Sequence, residues 1–216
     1  MKNSSEEKAG LKARINKATT AKDPNVVKTV YDDWADGYDA DITGYGYVAP
    51  EICVKSLMDL LPEKSSLIYD AGCGTGLIGQ RLKQSGYGRV EGADFSPEML
   101  EKAKATGAYR SLELSDYSKP LPHVASRTYD GVISVGVYCA GFREHFLNEM
   151  LRVLKPGGAL VMTARAHFYE GEIEVDLQKL VDAGLITDLD VSVQAYMQGQ
   201  NTEAYYIRAR KSVRKT

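Results

Sequence analysis

Two carboxylates and a run of glycines carry the clearest chemistry in this sequence. Asp70 ends the apolar run Leu67-Ile-Tyr-Asp70 and is followed by Gly72, Gly74 and Gly76 at alternating positions. A strand that runs into such a turn, with a helix opening after it, lets a nucleotide-like ligand lie against the backbone, because no Cβ atoms stand in the way. Asp94 closes the next strand-like run, Val90-Glu-Gly-Ala-Asp94. A carboxylate there can accept hydrogen bonds from both hydroxyls of a ribose; the alternative is a charge at the N-terminus of the helix that follows Ser96. Phe95 could lie against an adenine face. Asp116, in Ser115-Asp-Tyr117 after a third strand, could accept from an adenine amino group. The Gly-x-Gly-x-Gly spacing differs from the Gly-x-Gly-x-x-Gly of dinucleotide-binding folds, which counts against a nicotinamide dehydrogenase.

These residues need elements to place them. Strands are expected at 66–70, 89–94, 112–114, 131–135 and 159–163, with helices at 77–84, 97–104, 143–154 and 175–183 between or after them. Ser96-Pro97 reads as a helix cap and first turn, and Pro156-Gly157-Gly158 as a turn. Alternating β and α segments of these lengths make a parallel sheet with helices on both faces. The last two runs, 188–197 and 204–210, are joined by Gln198-Gly-Gln-Asn201. So short a link makes them antiparallel, because a parallel pair needs a long crossover. Ahead of the core, Asp23-Pro24 caps a helix with Val27, Val30, Tyr31 and Trp34 on one face. A second helix starts at Pro50 and stops at Pro62. Tyr45 and Tyr47, set among Gly44 and Gly46, fit no core stripe and suggest a mobile lid. The expected division is a flexible segment at 1–22, a helical cap at 23–62 and an α/β core at 63–216.

In order, Asp70-Ala-Gly-Cys-Gly-Thr-Gly76, Asp94-Phe-Ser-Pro-Glu-Met-Leu100, Asp116, Tyr129-Asp130 and Leu154-Lys-Pro-Gly-Gly158 resemble the class I S-adenosylmethionine-dependent methyltransferases. Tyr31-Asp-Asp-Trp-Ala35 and Tyr38-Asp39 add a closer likeness to the methyltransferase-like proteins of the Williams–Beuren region. The resemblance implies a Rossmann-like three-layer α/β sandwich, with a seven-stranded, mostly parallel sheet in the order 3-2-1-4-5-7-6 and strand 7 antiparallel. It implies S-adenosyl-L-methionine as cofactor, with S-adenosyl-L-homocysteine as product. Asp70 and the backbone of Gly72 and Gly74 would serve the methionine end, Asp94 the ribose, Phe95 and Met99 the adenine faces, and Asp116 and Tyr117 its edge. Trp34 and Tyr38 would close over the sulfonium.

Methyl transfer needs alignment and exclusion of water, plus a base where the acceptor must lose a proton. His145, about one helical turn beyond the fourth strand, is the candidate base, and a solvated helix position is its alternative. Tyr138 and Cys139 lie nearer that strand's end; His167 could border the pocket, and His123 sits in a polar loop. Strand 4 continues as Ser134-Val-Gly-Val-Tyr138 rather than the Asn/Asp-Pro-Pro-aromatic run of amino-directed DNA methyltransferases. The expected acceptor is an oxygen or nitrogen of a small molecule, with a non-methylating cofactor-binding protein as the second reading.

A formal net charge of −2 gives no global case for nucleic acid or an anionic membrane. The basic residues at the ends, Lys8 and Lys12 among them and Arg214 and Lys215 at the other, read as solubilising tails. Three cysteines without paired spacing suggest a reducing compartment and no zinc site, and no pair of acidic clusters suggests a magnesium site, so no metal is expected. With no apolar leader or membrane-length run, the expected location is cytoplasmic.

Overall fold

The computed structural model describes residues 10, 12–17, 21, 23–138, 142–143 and 145–213. Most of the segment expected to be flexible, together with Lys8, Cys139, Arg214 and Lys215, lies outside the described residues. Residues 12–17 are helical.

Three helices precede the sheet: α1 (Pro24–Trp34), α2 (Tyr38–Gly44) and α3 (Ala49–Leu60). The Asp23 carboxylate caps α1 by accepting from Asn25 N at 2.9 Å. The core then alternates β1 (Ile68–Ala71), α4 (Leu77–Gln84), β2 (Val90–Asp94), α5 (Pro97–Ala105), β3 (Ser111–Leu114), β4 (Tyr129–Ser134), α6 (Phe146–Val153) and β5 (Leu154–Ala164). A one-turn helix (Ala166–Phe168) and a π-helical segment (Tyr169–Ile173) lead into α7 (Glu174–Asp182), and the hairpin β6 (Ile186–Met197) and β7 (Thr202–Lys211) ends the described chain.

The seven strands lie in the order β3-β2-β1-β4-β5-β7-β6. β1 pairs in parallel with β2 and β4, and all four of its residues are buried, as befits a central strand covered on both faces. β7 runs antiparallel to both β5 and β6. The fold expected from the motifs and from the short C-terminal link is therefore present. α3 packs against β4 and β5 and supplies Cys53, Val54 and Leu57 to the core on that side.

Two boundaries differ from the sequence reading. Pro156-Gly157-Gly158 is not a free turn: it belongs to a bulged start of β5, where the pairing steps from Tyr129↔Leu154 to Gly131↔Ala159. The extra residues of β5 loop out while Gly157 takes a positive φ of 80°. α6 starts at Phe146, so His145 is its N-cap residue rather than part of the helix. No described helix is long and apolar enough to cross a membrane.

Because β1 and β4 are neighbours while the chain leaves them toward opposite sides of the sheet, their C-terminal ends open a crevice. The glycine turn after β1, Asp94 at the end of β2, and residues 135–138 after β4 all meet there.

Candidate active site

The glycine turn takes φ values of +77°, +53° and +96° at Gly72, Gly74 and Gly76. Side chains with a Cβ adopt these angles only with strain. At Gly72 there is also no room, since a Cβ would lie 2.2 Å from Val137 Cγ2. At Gly74 a Cβ would meet nothing within 4 Å, so this part of the turn faces open space. That space is a cleft of about 640 Å³, counting the part open to solvent. Asp94, Phe95, Met99 and Tyr117 form its β2–β3 side, and Val135 to Tyr138 the β4 side. Tyr31 and Tyr38 approach from the N-terminal helices.

Asp94 is tied into the turn. Its Oδ2 accepts from Gly74 N at 2.9 Å and its Oδ1 from Ser96 N at 3.0 Å. Burial raises its pKa to about 6, against the pull of those backbone hydrogen bonds. Asp70 is fully buried beneath the turn and does not line the cleft. Its Oδ2 accepts from the Tyr109 hydroxyl at 2.7 Å, and its Oδ1 has no protein partner. Burial raises its pKa to about 7, opposed by the Tyr109 hydrogen bond and reinforced by nearby Asp94. Tyr109 reaches Asp70 only because glycines clear its path. A Cβ on Gly79 would come within 2.3 Å of its ring, and one on Gly92 within 2.8 Å. Gly79 N donates to the Tyr109 oxygen at 3.0 Å.

Several expected contacts are redistributed. The N–H groups of Gly72 and Gly74 are already engaged: Gly72 N donates to Ala93 O and to the Tyr117 hydroxyl, and Gly74 N to Asp94. At Gly72 and Gly74 the turn thus offers a ligand bare backbone rather than free donors. Tyr117 lines the cleft with its ring, but its hydroxyl bridges Gly72 N at 3.0 Å and Ala93 O at 3.1 Å. Asp116 stays out of the cleft because its carboxylate is held by Ser118 and by Lys119, 2.6 Å away. His145 is not among the residues that line the cleft, a consequence of the later start of α6. Phe95, Met99, Tyr38 and Tyr138 are in the cleft wall, as expected.

Trp34 stands one step back. Its indole N–H donates to Asp41 at 2.8 Å and its ring meets Tyr38 edge-on, with centroids 4.8 Å apart. It lines a second cavity of about 550 Å³. This chamber shares Tyr31, Tyr38, Gly136 and Tyr138 with the cleft, so the two adjoin. Tyr47 and Tyr196 form another wall, hydroxyl to hydroxyl at 3.2 Å. Gly136 passes beneath that pair, where a Cβ would come 2.7 Å from the Tyr196 oxygen. The segment expected as a lid is fastened here. Val48 N donates to Tyr196 O, Gln198 N to Gly46 O and Gly199 N to Tyr45 O. Gly46, at a φ of +66°, and Gly199, where a Cβ would come 3.0 Å from Tyr45 O, let this strip fit against the end of β6. The glycine turn and the helical cap are joined as well, through Thr75 Oγ1 donating to Asp39 at 2.6 Å.

Residues 68–158 match the family described as Methyltransferase domain. Methyltransferase-like protein 27 of Homo sapiens is 36% identical over 182 residues, covering 81% of this chain and 74% of that protein. The chain is a class I S-adenosylmethionine-dependent methyltransferase. The 18S rRNA (guanine(1575)-N(7))-methyltransferase of Saccharomyces cerevisiae is 31% identical over 157 residues, spanning 64% of this methyltransferase and 54% of its own length. Among solved structures, a methyltransferase of Haloferax volcanii in complex with the Trm112 activator superimposes with a TM-score of 0.63 at 22% identity. It covers 84% of this chain and 97% of its own; at that identity the likeness is one of fold.

Membership of the family implies S-adenosylmethionine as cofactor, and the residues present fit it. A side-chain-free turn opens at Gly74, a carboxylate stands at the strand end, and Phe95 and Met99 offer apolar faces. The sequence places Tyr31 on one helical face with Val27, Val30 and Trp34, and it lines both cavities of the methyltransferase. Gly136, Tyr196 and Tyr109 were missed. A glycine straight after a buried strand is a usable signal for the first. Nothing local marks the other two.

The two raised carboxyls make a pH prediction. Both stand above the ordinary value of 3.8, so between about pH 4 and about pH 7 the folded chain binds more protons than the unfolded chain. Their contribution to stability therefore falls as pH rises through that window. Asp70→Asn should raise the stability of the cofactor-free protein at pH 8 relative to wild type by ~2–4 kcal/mol, and change it little near pH 4. Denaturant unfolding of both proteins at the two pH values measures this; a difference between them that is independent of pH would contradict it.

Proposed function

We propose that this enzyme methylates an oxygen or nitrogen of a small molecule. The observation that carries the reading is the junction of the two cavities at Gly136 and Tyr138. One cavity has the features of a nucleoside site, and the other is walled by aromatic rings and closed by the Tyr47–Tyr196 pair. S-adenosylmethionine supplies an electrophilic methyl on a sulfonium, with a neutral leaving group. Asp94 would hold the ribose diol, Phe95 and Met99 would flank the adenine, and Tyr38 would stand at the sulfonium side with Trp34 behind it. Asp70 would act from beneath the turn by fixing Tyr109 and the backbone. Tyr138 would meet the acceptor at the junction and orient its attacking atom, while the surrounding rings exclude water. His145, outside both cavities, would serve α6 rather than the reaction. Cys53 and Cys73 are free and buried, which suits a cytoplasmic setting.

Asp94→Ala should weaken S-adenosylhomocysteine binding by ~1–3 kcal/mol, the scale of hydrogen bonds to a charged group. Wild-type affinity should also decline as pH falls below about 6, where Asp94 takes up a proton. Calorimetry across pH tests both; an affinity that ignores the substitution would move the ribose elsewhere.

The acceptor class is tested by incubating the full chain and labelled S-adenosylmethionine with a small-molecule extract, and separately with total RNA. Label should enter the small-molecule fraction. Label confined to RNA would overturn the reading in favour of the activity named for the yeast relative. Once an acceptor is in hand, Tyr138→Phe should lower turnover by about 10-fold or more, with S-adenosylhomocysteine affinity unchanged. His145→Ala should leave turnover near wild type; the reverse ranking would restore His145 as the base.

A further inference from the structure

Three hydroxyl groups converge on Gly136, where the two cavities meet. Thr163, near the end of β5, lines the aromatic chamber and is only 2% exposed. Its Oγ1 accepts from Gly136 N at 2.9 Å. A hydroxyl that accepts in this way still has its own proton to give. Among the described residues, Thr163 gives that proton to no acceptor. The Tyr47 and Tyr196 hydroxyls lie against the same glycine, where a Cβ would come 3.0 Å from the first oxygen and 2.7 Å from the second. The two phenols share one hydrogen bond, so one of their protons is also left over among the described residues. Burial raises both pKa values above the ordinary 10.0, so both phenols are neutral donors near pH 7.

The wall offers a ligand no free charge to set against these neutral donors. No Asp or Glu stands among the chamber's described lining residues. Arg165, its one charged side chain, already makes an interaction, and the outer groove that it also faces contains Glu203. A ligand with a permanent charge would therefore be buried without a free counter-charge. Aromatic faces can attract a cation, but a cation here would meet the donor's sulfonium across the junction. The remaining surface is flat and apolar, from Trp34, Tyr38 and Tyr138, and packs best on another ring. A neutral planar ring satisfies these walls, and a lone pair on one of its oxygens satisfies the hydroxyls at Gly136.

We infer that the chamber accepts an uncharged aromatic ring, and that Thr163 sets the ring's register by donating its hydroxyl proton to an oxygen on it. The methyl-accepting substituent is the one next to that oxygen, so fixing the first aims the second past Gly136 and Tyr138 at the cleft. Thr163 is thus a specificity-determining residue for the acceptor. This rests on the reading that the adjoining cleft holds S-adenosylmethionine and that methyl transfer occurs at the junction.

The test is titration of the full chain saturated with S-adenosylhomocysteine, followed by the emission of Trp34, the sole tryptophan and a chamber residue. The probes are pairs that differ by one oxygen beside the phenol: catechol with 2-methylphenol, and 2-methoxyphenol with 2-ethylphenol. In at least one pair the oxygen-bearing member should bind about fivefold or more tighter than its partner. It should also bind tighter than salicylate and 2-hydroxybenzylamine, which carry a charge on the same ring. Thr163→Val keeps the shape but loses the hydroxyl and should erase the preference; Thr163→Ser should keep it. A purely structural role, through Gly136 N, would weaken both members of a pair alike and leave their ratio intact. An unchanged ratio in Thr163→Val, pairs that bind equally to the wild type, a charged probe that binds tightest, or a panel in which nothing binds would each overturn the inference. Should Thr163→Val not fold, Thr163→Ala takes its place. S-adenosylhomocysteine affinity is measured first: its absence would defeat the cleft reading alone, and the pairs would then be read on the unliganded chain.

Discussion

Two carboxylates are buried around one glycine turn, and among the described residues neither is paired with a cation. Nearly everything around the turn answers that constraint. Asp94 is met by two backbone N–H groups that only a sharply bent chain can point at it. Asp70 is met by one phenol that threads past Gly79 and Gly92. Both carboxyls are left with raised pKa values, and Asp70 keeps one oxygen without a protein partner. The turn is therefore held in shape by hydrogen bonds whose strength depends on protonation. A charged, hydrogen-bonding ligand above it acts on a site that is already electrostatically expensive.

The cleft around the glycine turn was legible in the sequence because its signals are local. The Gly72-to-Gly76 turn, Asp94 at a strand end and the Ser96 cap each depend on neighbours a few positions away, and each is found where the pattern places it. The sheet order followed from resemblance, and the antiparallel last strand also from the brevity of residues 198–201. The structure departs from the expected contacts where a polar group has a competing partner. Gly72 N, the Tyr117 hydroxyl and Asp116 all looked available, yet each is engaged by Ala93, Gly72 or Lys119 respectively. A sequence names the donors and acceptors but does not say which of them are already spent.

The adjoining chamber was nearly illegible for the opposite reason. Its walls come from Ile15, α1, α2, the strip around Tyr47, the chain just after β4, the end of β5 with Arg165 after it, and the end of β6. Tyr196 sits in an alternating strand pattern like any half-buried tyrosine. Arg165 is one basic residue among many. Only the pairing of β6 with the strip at residues 45–48 turns these into one enclosure.

That pairing has a consequence for how the protein is assembled. The Tyr47–Tyr196 contact joins residues 149 positions apart, whereas the turn, Asp94 and Tyr117 are all drawn from one compact stretch. Closing a long loop is entropically costlier and slower than forming nearby contacts. During synthesis the glycine turn, Asp94 and Tyr117 emerge well before Tyr196, so the chamber cannot close until the hairpin is made. The same separation divides the sequence: Tyr196 lies far outside the stretch that carries the turn, Asp94 and Tyr117, so a change there can reshape the chamber while leaving that stretch untouched.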